Sequence, residues 1–367
     1  MKLLCYKNDL INSLQIVSRA VPSKTTMPVL QCVMIDATTD RIRFITNDTE
    51  MGIDTGVKGT IEEKGYAAVE AKLLLDIIRK LPDGEVEISG NAGDTILLSA
   101  GKAKVRVAGR GNEEFTYLPE IERIDGFHIS QKELKDIILK TIFSIGTGDS
   151  MMSGELMELK DNRLRVISLD GHRVSVRKYT FSENFTGKKV VVPGRTLQEI
   201  SRIMTDDSED IVDIYFTDKH IIFEFDSTVI VSRLIEGDFY NIDQMFSSDY
   251  ETKISVNRKE FLDCLDRTTL FVKEGDKKPI IVSITDGEME LKIQSTIGSM
   301  DEKVSIEKQG KDLKLGFNPR FMIDALRAID DDIVKLYFVN PKAPCFIKND
   351  EGDYNYLVLP INIKVVD

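Results

Sequence analysis

The sequence is poor in the residues that build metal centres and disulfide frameworks. Its 367 residues include three histidines, four cysteines and no tryptophan. The cysteines are far apart and form no CxxC pair, so we expect them to be small apolar residues of the core. The sequence also lacks the GxxxxGK[ST] pattern of a phosphate-binding loop. We therefore expect no metal ion and no other cofactor.

Long apolar segments are absent as well. No stretch approaches the roughly 18 apolar residues of a membrane span. The N-terminal sequence MKLLCYKNDL has neither the long apolar core nor the small-residue cleavage site of a signal peptide. These features predict a cytoplasmic protein without a membrane partner.

The net charge of −12 at pH 7 is strongly acidic, while the 42% hydrophobic and 30% charged residues are typical of a soluble globular protein. Taken alone, the acidic charge argues against nucleic-acid binding, because proteins that bind DNA usually present a basic surface. The distribution of cations along the chain is more informative than their sum.

The sequence does contain a threefold repeat. Three segments with one apolar spine are KNDLINSLQIVS from Lys7, QKELKDIILKTI from Gln131 and RKEFLDCLDRTT from Arg258. A second set with almost the same period comprises AKLLLDIIRKLPDG from Ala71, GRTLQEISRIMTDD from Gly194 and PRFMIDALRAIDDD from Pro319. Apolar residues recur in both sets at the spacing of amphipathic helices. Two helical patterns with a shared period predict three copies of one domain.

Between these helices the sequence alternates polar and apolar residues, as in RIRFITND, RLRVISLD and MELKIQST. This alternation predicts half-buried antiparallel strands, and Asp161-Asn162 and Asp286-Gly287 suit tight turns between them. The predicted fold class is α+β, with three repeated domains that each carry two helices on one face of antiparallel sheets. The repeat places the domains at residues 1–126, 127–250 and 251–367.

The second helix of every copy carries two basic residues seven positions apart. The pairs are Lys72 and Arg79, Arg195 and Arg202, and Arg320 and Arg327. Seven residues make two helical turns, so each pair lies on one helix face. Such residues are commonly only solvated, but three matched pairs also fit a basic surface that holds phosphates without reading a sequence. The alternative function is a repeat scaffold that binds protein peptides and not DNA.

Groups that resemble catalytic residues occur in unsuitable patterns. The residues of Asp170-Gly171-His172 are adjacent in sequence, and neighbours seldom place a histidine between a carboxylate and a nucleophile. The acidic runs DDSED (206–210) and DDD (330–332) follow predicted helices, where solvated turns explain them better than a two-metal site. The sequence therefore predicts a protein that is not an enzyme.

Several motifs occur in a characteristic order along the chain. They are PSKTTMPVL (22–30), TNDTEMGI (46–53), LDGHRVS (169–175), VVPGRTLQEIS (191–201), NPRFMIDALRAI (318–329) and YLVLP (356–360). In this order and spacing the chain resembles the β sliding clamp family of bacterial DNA polymerase III along its whole length.

The resemblance implies a head-to-tail homodimer ring of DNA-clamp domains, which encircles duplex DNA, slides without sequence specificity and confers processivity as a non-catalytic accessory subunit. The DNA-facing residues that it implies are Lys24, Lys72, Arg79, Arg195, Arg202, Arg320 and Arg327. The implied dimer interface places Val105 and Val107 near Leu270 and Phe271 of the other chain, although ordinary core packing would explain the same apolar residues.

The resemblance also implies an apolar groove between the second and third domains. The groove would receive short linear motifs from the DNA polymerase III α subunit, the clamp loader, other DNA polymerases and repair proteins, and would bury a Leu or Phe of each motif. Its implied residues are Met152, Leu169, Gly171, His172, Arg173, Val174, Tyr240, Gln244, Met245, Pro344, Leu357, Leu359, Pro360 and Ile361.

The sequence departs from the family at two places near this groove. Tyr240 stands where the family commonly has a proline, and Ile242 stands near a family aromatic residue. Asn362 stands near the position of a family arginine, and the chain continues past the usual end. These differences bear on the shape of the groove more than on the fold.

Overall fold

The computed structural model describes residues 1–90, 93, 95–110, 115, 118–119, 121–148, 151–206, 209–246, 249–272 and 278–363. Within these residues each repeat contains two α-helices. They are α1 (Lys7–Val17), α2 (Ala71–Lys80), α3 (Gln131–Leu139), α4 (Gly194–Ile203), α5 (Arg258–Thr269) and α6 (Pro319–Arg327). These are the segments whose periodicity predicts helices. No described helix is both long and apolar enough to cross a membrane.

The remaining elements are strands. The first repeat contains β1 (Lys2–Tyr6), β2 (Cys32–Ala37), β3 (Ile42–Asn47), β4 (Met51–Val57), β5 (Gly59–Glu63), β6 (Gly65–Glu70), β7 (Glu85–Ser89), β8 (Thr95–Ala100) and β9 (Ala103–Ala108). The second contains β10 (Gly126–Ser130), β11 (Gly154–Leu169), β12 (Arg173–Pro193), β13 (Ile211–Phe216), β14 (His220–Phe225) and β15 (Thr228–Arg233). The third contains β16 (Thr252–Asn257), β17 (Ile280–Thr285), β18 (Glu288–Ser295), β19 (Gly298–Gly310), β20 (Leu313–Phe317), β21 (Ile333–Phe338), β22 (Cys345–Lys348) and β23 (Tyr354–Val358).

The strands form antiparallel sheets of five, eight and ten strands, in the orders β5-β1-β7-β8-β9, β10-β13-β14-β15-β4-β3-β2-β6 and β11-β12-β23-β22-β21-β16-β19-β18-β17-β20. The chain forms two compact units. One contains Met1–Leu134 and Glu199–Leu234, and the other contains Lys135–Gln198 and Ile235–Asp367. The second repeat contributes to both units.

The predicted apolar stripes of the helices are buried with one partial exception, Ile77, which is half-buried. The buried members are Leu10, Leu14, Val17, Leu74, Leu81, Leu134, Ile137, Ile138, Leu197, Ile200, Met204, Phe261, Leu265, Met322, Ala325 and Ile329. Because an amphipathic helix gains stability by burying one face, these stripes hold the helices on the sheets. Asn257 and Asn318 cap α5 and α6 by accepting hydrogen bonds from the Glu260 and Arg320 amides.

One of the two predicted tight turns, at Asp286-Gly287, is present, whereas Asp161-Asn162 lies within a strand. Thr285 pairs with Glu288 across Asp286-Gly287, and Gly287 has a φ of +80°. Asp161 lies within the extended segment β11, where the register with β12 is interrupted, and its φ of +52° is left-handed. Aspartate and glycine tolerate this conformation better than most residues.

Consecutive repeats are joined by pairing of strands. β15 of the second repeat pairs with β4 of the first, from Thr228↔Thr55 to Ser232↔Met51. The buried hydroxyls of Thr55 and Thr228 lie 2.7 Å apart across this pair. β23 of the third repeat pairs in the same way with β12 of the second. In both junctions the last strand of the later repeat pairs with a strand of the earlier repeat that follows a short turn, at residues 48–50 before β4 and at residues 170–172 before β12.

One carboxyl group in the second unit is buried without a hydrogen-bond partner. Glu155, in β11, is fully buried, and neither of its oxygens has a hydrogen-bond partner among the described residues. Burial raises the pKa of Glu155 to about 8, and the nearby Thr141 hydroxyl only partly opposes this shift. Glu155 is therefore protonated in the folded protein at pH values where the unfolded chain has released the proton.

We expect the fold to lose stability as the pH rises from about 4.5 to about 8 through this group, because the folded state holds the Glu155 proton more tightly than the unfolded state. Below this window both states are protonated, and above it both are ionised. Glu155→Gln should remove this dependence. Its melting temperature should match the parent's near pH 4.5 and exceed it by several degrees at pH 8.5, measured by calorimetry.

Glu158→Gln is the matched control, because Glu158 lies on the same strand and already has ion-pair partners in Arg165 and Lys189. A constant difference between parent and Glu155→Gln from pH 4.5 to 8.5 would contradict a buried, protonated Glu155.

Candidate functional site

Several residues predicted to line the groove lie around the junction of β12 and β23. Arg173 pairs with Val358 and Val174 with Leu357 across this junction. Beyond β23, the Leu359 amide donates to the His172 carbonyl at 2.9 Å. Residues from the turn before β12 and from the C-terminal segment are therefore neighbours, although they are far apart in sequence.

Three of the predicted groove residues form a buried floor. Leu169, Val174 and Leu357 belong to one apolar cluster on the sheet, and Met152 packs against it. The cluster is buried because β-strands that are covered on this face need apolar side chains there. Because these side chains are buried, a ligand would contact mainly the more exposed residues around them.

The connector between β15 and β16 crosses the same cluster. Ile242 is buried in it, and Phe239 and Phe246 pack against it. The ring of Phe246 lies 6.0 Å from that of Phe346 of β22. These apolar residues hold the connector against the sheet, and other side chains of the connector face solvent. The predicted groove residues on this connector, Tyr240, Gln244 and Met245, are all exposed.

A tight turn positions His172 at the other side. Oδ1 of Asp170 accepts hydrogen bonds from the His172 amide at 2.9 Å and the Arg173 amide at 3.1 Å. Gly171 has a φ of +84°, which favours glycine. The turn leaves Gly171 and His172 exposed, and it brings the His172 ring to 6.1 Å from that of Phe321 on α6.

Arg173 is turned away from solvent and toward the third repeat. Its guanidinium contacts Asp170 at 2.9 Å and Asp324 of α6 at 2.6 Å, and it also donates to the Phe143 carbonyl. It lies 4.5 Å from the centre of the Phe321 ring. Arginine suits this site because its planar group can bind carboxylates and stack on an aromatic ring at once. Arg173 is therefore a positioning residue that joins the turn to α6.

The remaining predicted groove residues follow the ends of β21 and β23. Pro344 and Pro360 are half-buried, and Leu359 is 36% exposed. Ile361 is bound through its amide to the Gly316 carbonyl of β20, 2.8 Å away. After Pro360 the chain therefore leaves β12, and Ile361 lies at the edge of β20.

All seven predicted DNA-facing residues are exposed: Lys24, Lys72, Arg79, Arg195, Arg202, Arg320 and Arg327. Lys24 precedes β2, and the others lie on α2, α4 and α6 as predicted. Because each compact unit contains only some of them, the fold of each unit alone does not bring all seven together.

Acidic residues that were not predicted from the sequence accompany these cations. Arg79 lies 4.0 Å from Asp76, and Arg202 lies 2.6 Å from Glu199. Arg327 lies 3.1 Å from Asp266 of α5. The sequence does indicate these acids. In the second helix of each repeat an acidic residue follows the first cation by four positions, at Asp76, Glu199 and Asp324. Residues at this spacing share a helix face.

The residues of the predicted dimer interface lie at two places. Val105 and Val107 are in β9, which among the described residues pairs only with β8. Leu270 and Phe271 follow α5, and the Phe271 ring is 3.0 Å from the position that a Cβ would occupy on Gly298, where β19 begins. Val107 is buried, Val105 and Phe271 are half-buried, and Leu270 is exposed.

The four cysteines are buried, and burial raises the pKa of the Cys5 and Cys264 thiols to about 12. Such thiols are poor nucleophiles and poor metal ligands at neutral pH. Within the described part of the chain, no group of three or more His, Cys, Asp and Glu residues is arranged to hold a metal ion.

Comparison with known proteins places this architecture in one family. Three family models match in order: the N-terminal domain of the DNA polymerase III β subunit at residues 1–119, the central domain at 128–241 and the C-terminal domain at 243–362. The chain belongs to the DNA polymerase III β sliding clamp family. Each of its three repeats is a clamp domain, and the family is one of non-catalytic subunits, as the sequence predicts.

Individual relatives agree over the full length. A β sliding clamp of Staphylococcus epidermidis is 31% identical over 98% of this chain and 99% of its own. A crystal structure from Eubacterium rectale, solved as a candidate DNA polymerase III β subunit, is 53% identical with a TM-score of 0.96 and covers 99% of both chains. The sliding clamp of Bacillus subtilis is 28% identical with a TM-score of 0.95, covering 99% of this chain and 100% of its own.

We expect Arg173→Ala to lower the free energy of unfolding by about 3 kcal/mol, because it leaves Asp170 and Asp324 without their shared cation. Asp324→Asn should cost less, and the double variant should cost less than the sum of the two single changes. Urea denaturation of the four proteins measures this coupling.

Arg163→Ala is the matched control, because Arg163 is an exposed arginine on neighbouring β11, and its removal should change stability by about 0.5 kcal/mol or less. Strictly additive effects of Arg173→Ala and Asp324→Asn would show that the ion pair does not join the turn to α6.

Proposed function

We propose that two copies of this chain close head to tail into a ring, which encircles duplex DNA, slides along it without reading its sequence and tethers polymerases through the groove beside β23. The ring would contain six clamp domains. It would act by topology, holding a polymerase near its template without taking part in the chemistry.

This proposal rests on one observation: the two junctions between repeats within the chain are built in the same way. The last strand of each later repeat pairs with the earlier repeat, as β15 does with β4 and β23 with β12. The corresponding strand of the first repeat, β9, has an open edge in the described structure. In the third repeat, β19 pairs with β18 over residues 298–305 and has no described partner on its other side there.

These two open edges suit each other. An unpaired strand edge carries donors and acceptors that favour addition of another strand. Lys104 and Arg106 lie on β9, and Lys102 immediately precedes it. Asp301 and Glu302 lie on the first half of β19, where they also pair with Lys292 and Arg267 of the same chain. Because the two edges differ, pairing them joins chains head to tail, and a two-chain ring uses both edges of both chains.

The helix surfaces support the DNA contact. The second helix of each repeat carries two cations with an acidic residue between them. Ion pairs within the chain therefore weaken the contacts that these cations would make with phosphates. Weak contacts to phosphates alone carry no sequence information, and they are compatible with sliding.

The groove supports the tethering role. Its buried floor is surrounded by the exposed side chains of Tyr240, Met245 and Leu359. Apolar rim residues over a rigid sheet provide anchor sites for one or two apolar side chains of an extended peptide.

We expect the protein, once placed on a nicked circular plasmid by its clamp loader and ATP, to remain bound through gel filtration. Cutting the circle with a restriction enzyme should release it within minutes, because a topological link survives only while the DNA has no end. The measurement is the fraction of labelled protein that elutes with DNA before and after cutting.

Arg202→Glu should shorten retention on the circle severalfold, while Lys64→Glu, the same charge change on the turn between β5 and β6, should not. Equal retention on circular and linear DNA would contradict the ring and would favour simple surface binding. No retention on either would favour the scaffold alternative.

Leu359→Asp should weaken binding of a fluorescent peptide from the cognate replicative polymerase at least about tenfold, because it places a charge where an apolar anchor is buried. Fluorescence polarisation measures the affinity. Ile124→Asp introduces the same charge at an exposed residue of the connector between the first two repeats, and it should leave the affinity unchanged. Unchanged affinity for Leu359→Asp would place the peptide site elsewhere.

A further inference from the structure

The floor of the groove continues into a polar surface on the same face of the sheet. Every second residue of a strand lies on one face, and the register between β11 and β12 is unbroken from Arg163 to Leu169. On β11 this face therefore runs from buried Leu169 to exposed Arg163, and on β12 it runs from buried Val174 to exposed Lys178. Lys178 pairs with Arg165, so Arg163 is its diagonal neighbour. One end of the face is apolar and the other is basic.

A cavity of about 470 Å³, the basic cavity, lies at the polar end of this face. The connector between β15 and β16, which carries Tyr240 and Met245 of the groove rim, also lines the basic cavity through Asp243 and Phe246. Val176 of β12 lines it too and belongs to the apolar cluster of the groove floor. The groove and the basic cavity therefore share a sheet face and a connector.

The charges of the basic cavity are unbalanced. Four charged residues of its lining form no ion pair with any other described residue, and they are Lys160, Asp161, Arg163 and Lys178. They carry three positive charges and one negative. Arg165, in contrast, is bound by Glu158 at 3.3 Å and by Asp243 at 2.6 Å. This local positive excess attracts anions, although the whole chain has a net charge of −12 and repels them.

We propose that the basic cavity binds acidic residues that flank the apolar anchor of a partner peptide. This site rests on the peptide groove proposed above and determines which peptides the groove prefers. Val174 and Lys178 are four residues apart on β12, which is about 13 Å at the rise of a strand. An extended peptide covers this distance in about four residues, so the acidic residue should stand about four positions from the anchor on the floor.

The basic cavity suits the carboxylates of a peptide better than the phosphates of a nucleic acid. Its cations stand among Glu158, Asp161 and Asp243 and beside apolar Val176 and Phe246. A nucleic acid would need a continuous basic groove, because every nucleotide adds a phosphate. One side-chain carboxylate needs only one or two cations, and charge-assisted hydrogen bonds to them are short and directional.

Fluorescence polarisation with the full-length protein tests this site. The probes are a fluorescent peptide from the cognate replicative polymerase, extended on either flank by three glutamates or three glutamines that begin four residues from the nearest apolar anchor. On one flank we expect the glutamate peptide to bind about fivefold more tightly than the glutamine peptide at low salt, because each exposed ion pair adds a small gain. The gain should disappear at about 0.5 M salt, where charges are screened within a few ångström.

Arg163→Glu and Lys178→Glu should each remove most of this gain and leave the affinity for the glutamine peptide unchanged. Lys314→Glu is the matched control, because it makes the same charge change at an exposed lysine of β20 in the same compact unit. It should preserve the gain. A general attraction cannot produce the expected result, since the acidic chain as a whole repels glutamates.

The outcomes separate this site from the groove itself. If the glutamine peptide does not bind, the groove is wrong and the site falls with it. If the glutamine peptide binds and glutamates on neither flank strengthen binding, the groove stands and the site proposed here is overturned. A gain that survives in the double variant Arg163→Glu with Lys178→Glu would also overturn it. So would a labelled ten-nucleotide oligothymidylate that needs both cations for binding while the glutamates give no gain.

Discussion

Backbone pairing at strand edges is the interaction on which the arrangement of this chain depends. An open edge exposes a row of N–H and C=O groups that favour another strand, and each repeat ends in a strand with such an edge. The second and third repeats satisfy theirs with β4 and β12 of the repeat before. In the first repeat, β9 pairs only with β8 among the described strands, so its other edge is open.

The candidate peptide groove is a consequence of one of these junctions. Where β23 joins β12, the turn at Asp170–Arg173 comes to lie beside the end of β23, and the Leu359 amide binds the His172 carbonyl. Arg173 fixes the turn to α6, and the connector is held over the floor by Phe246 and Ile242. Tertiary contacts therefore anchor both the turn and the connector beside this junction.

The second helices carry cations and acidic residues side by side on an acidic chain. Each second helix alternates a cation, an acid and a cation over two turns. Glu199 is shared between Arg202 and Arg19, so one carboxylate both moderates the exposed surface and holds two repeats together. Exposed ion pairs of this kind contribute little stability and leave the cations available for weak, exchanging contacts.

Much of this architecture is determined by local sequence. The apolar spacing from Leu10 or Leu134 onward predicts helices without knowledge of the fold, because an amphipathic stripe is a property of one segment. The exposed cations at Lys72 and Arg79 follow from the same periodicity. The family motifs bring together residues that lie around the β12–β23 junction, such as Val174 and Leu357.

Tertiary structure alone decided the rest. Three contacts join residues that are far apart in the chain. They are the ion pair of Arg173 with Asp324, the ion pair of Glu199 with Arg19 and the hydrogen bond from the Ile361 amide to the Gly316 carbonyl. Nothing in the pattern of one segment determines which distant strand edge or carboxylate it will meet. Those choices depend on the register of whole sheets, in which each pairing satisfies backbone groups and excludes the alternatives at the same time.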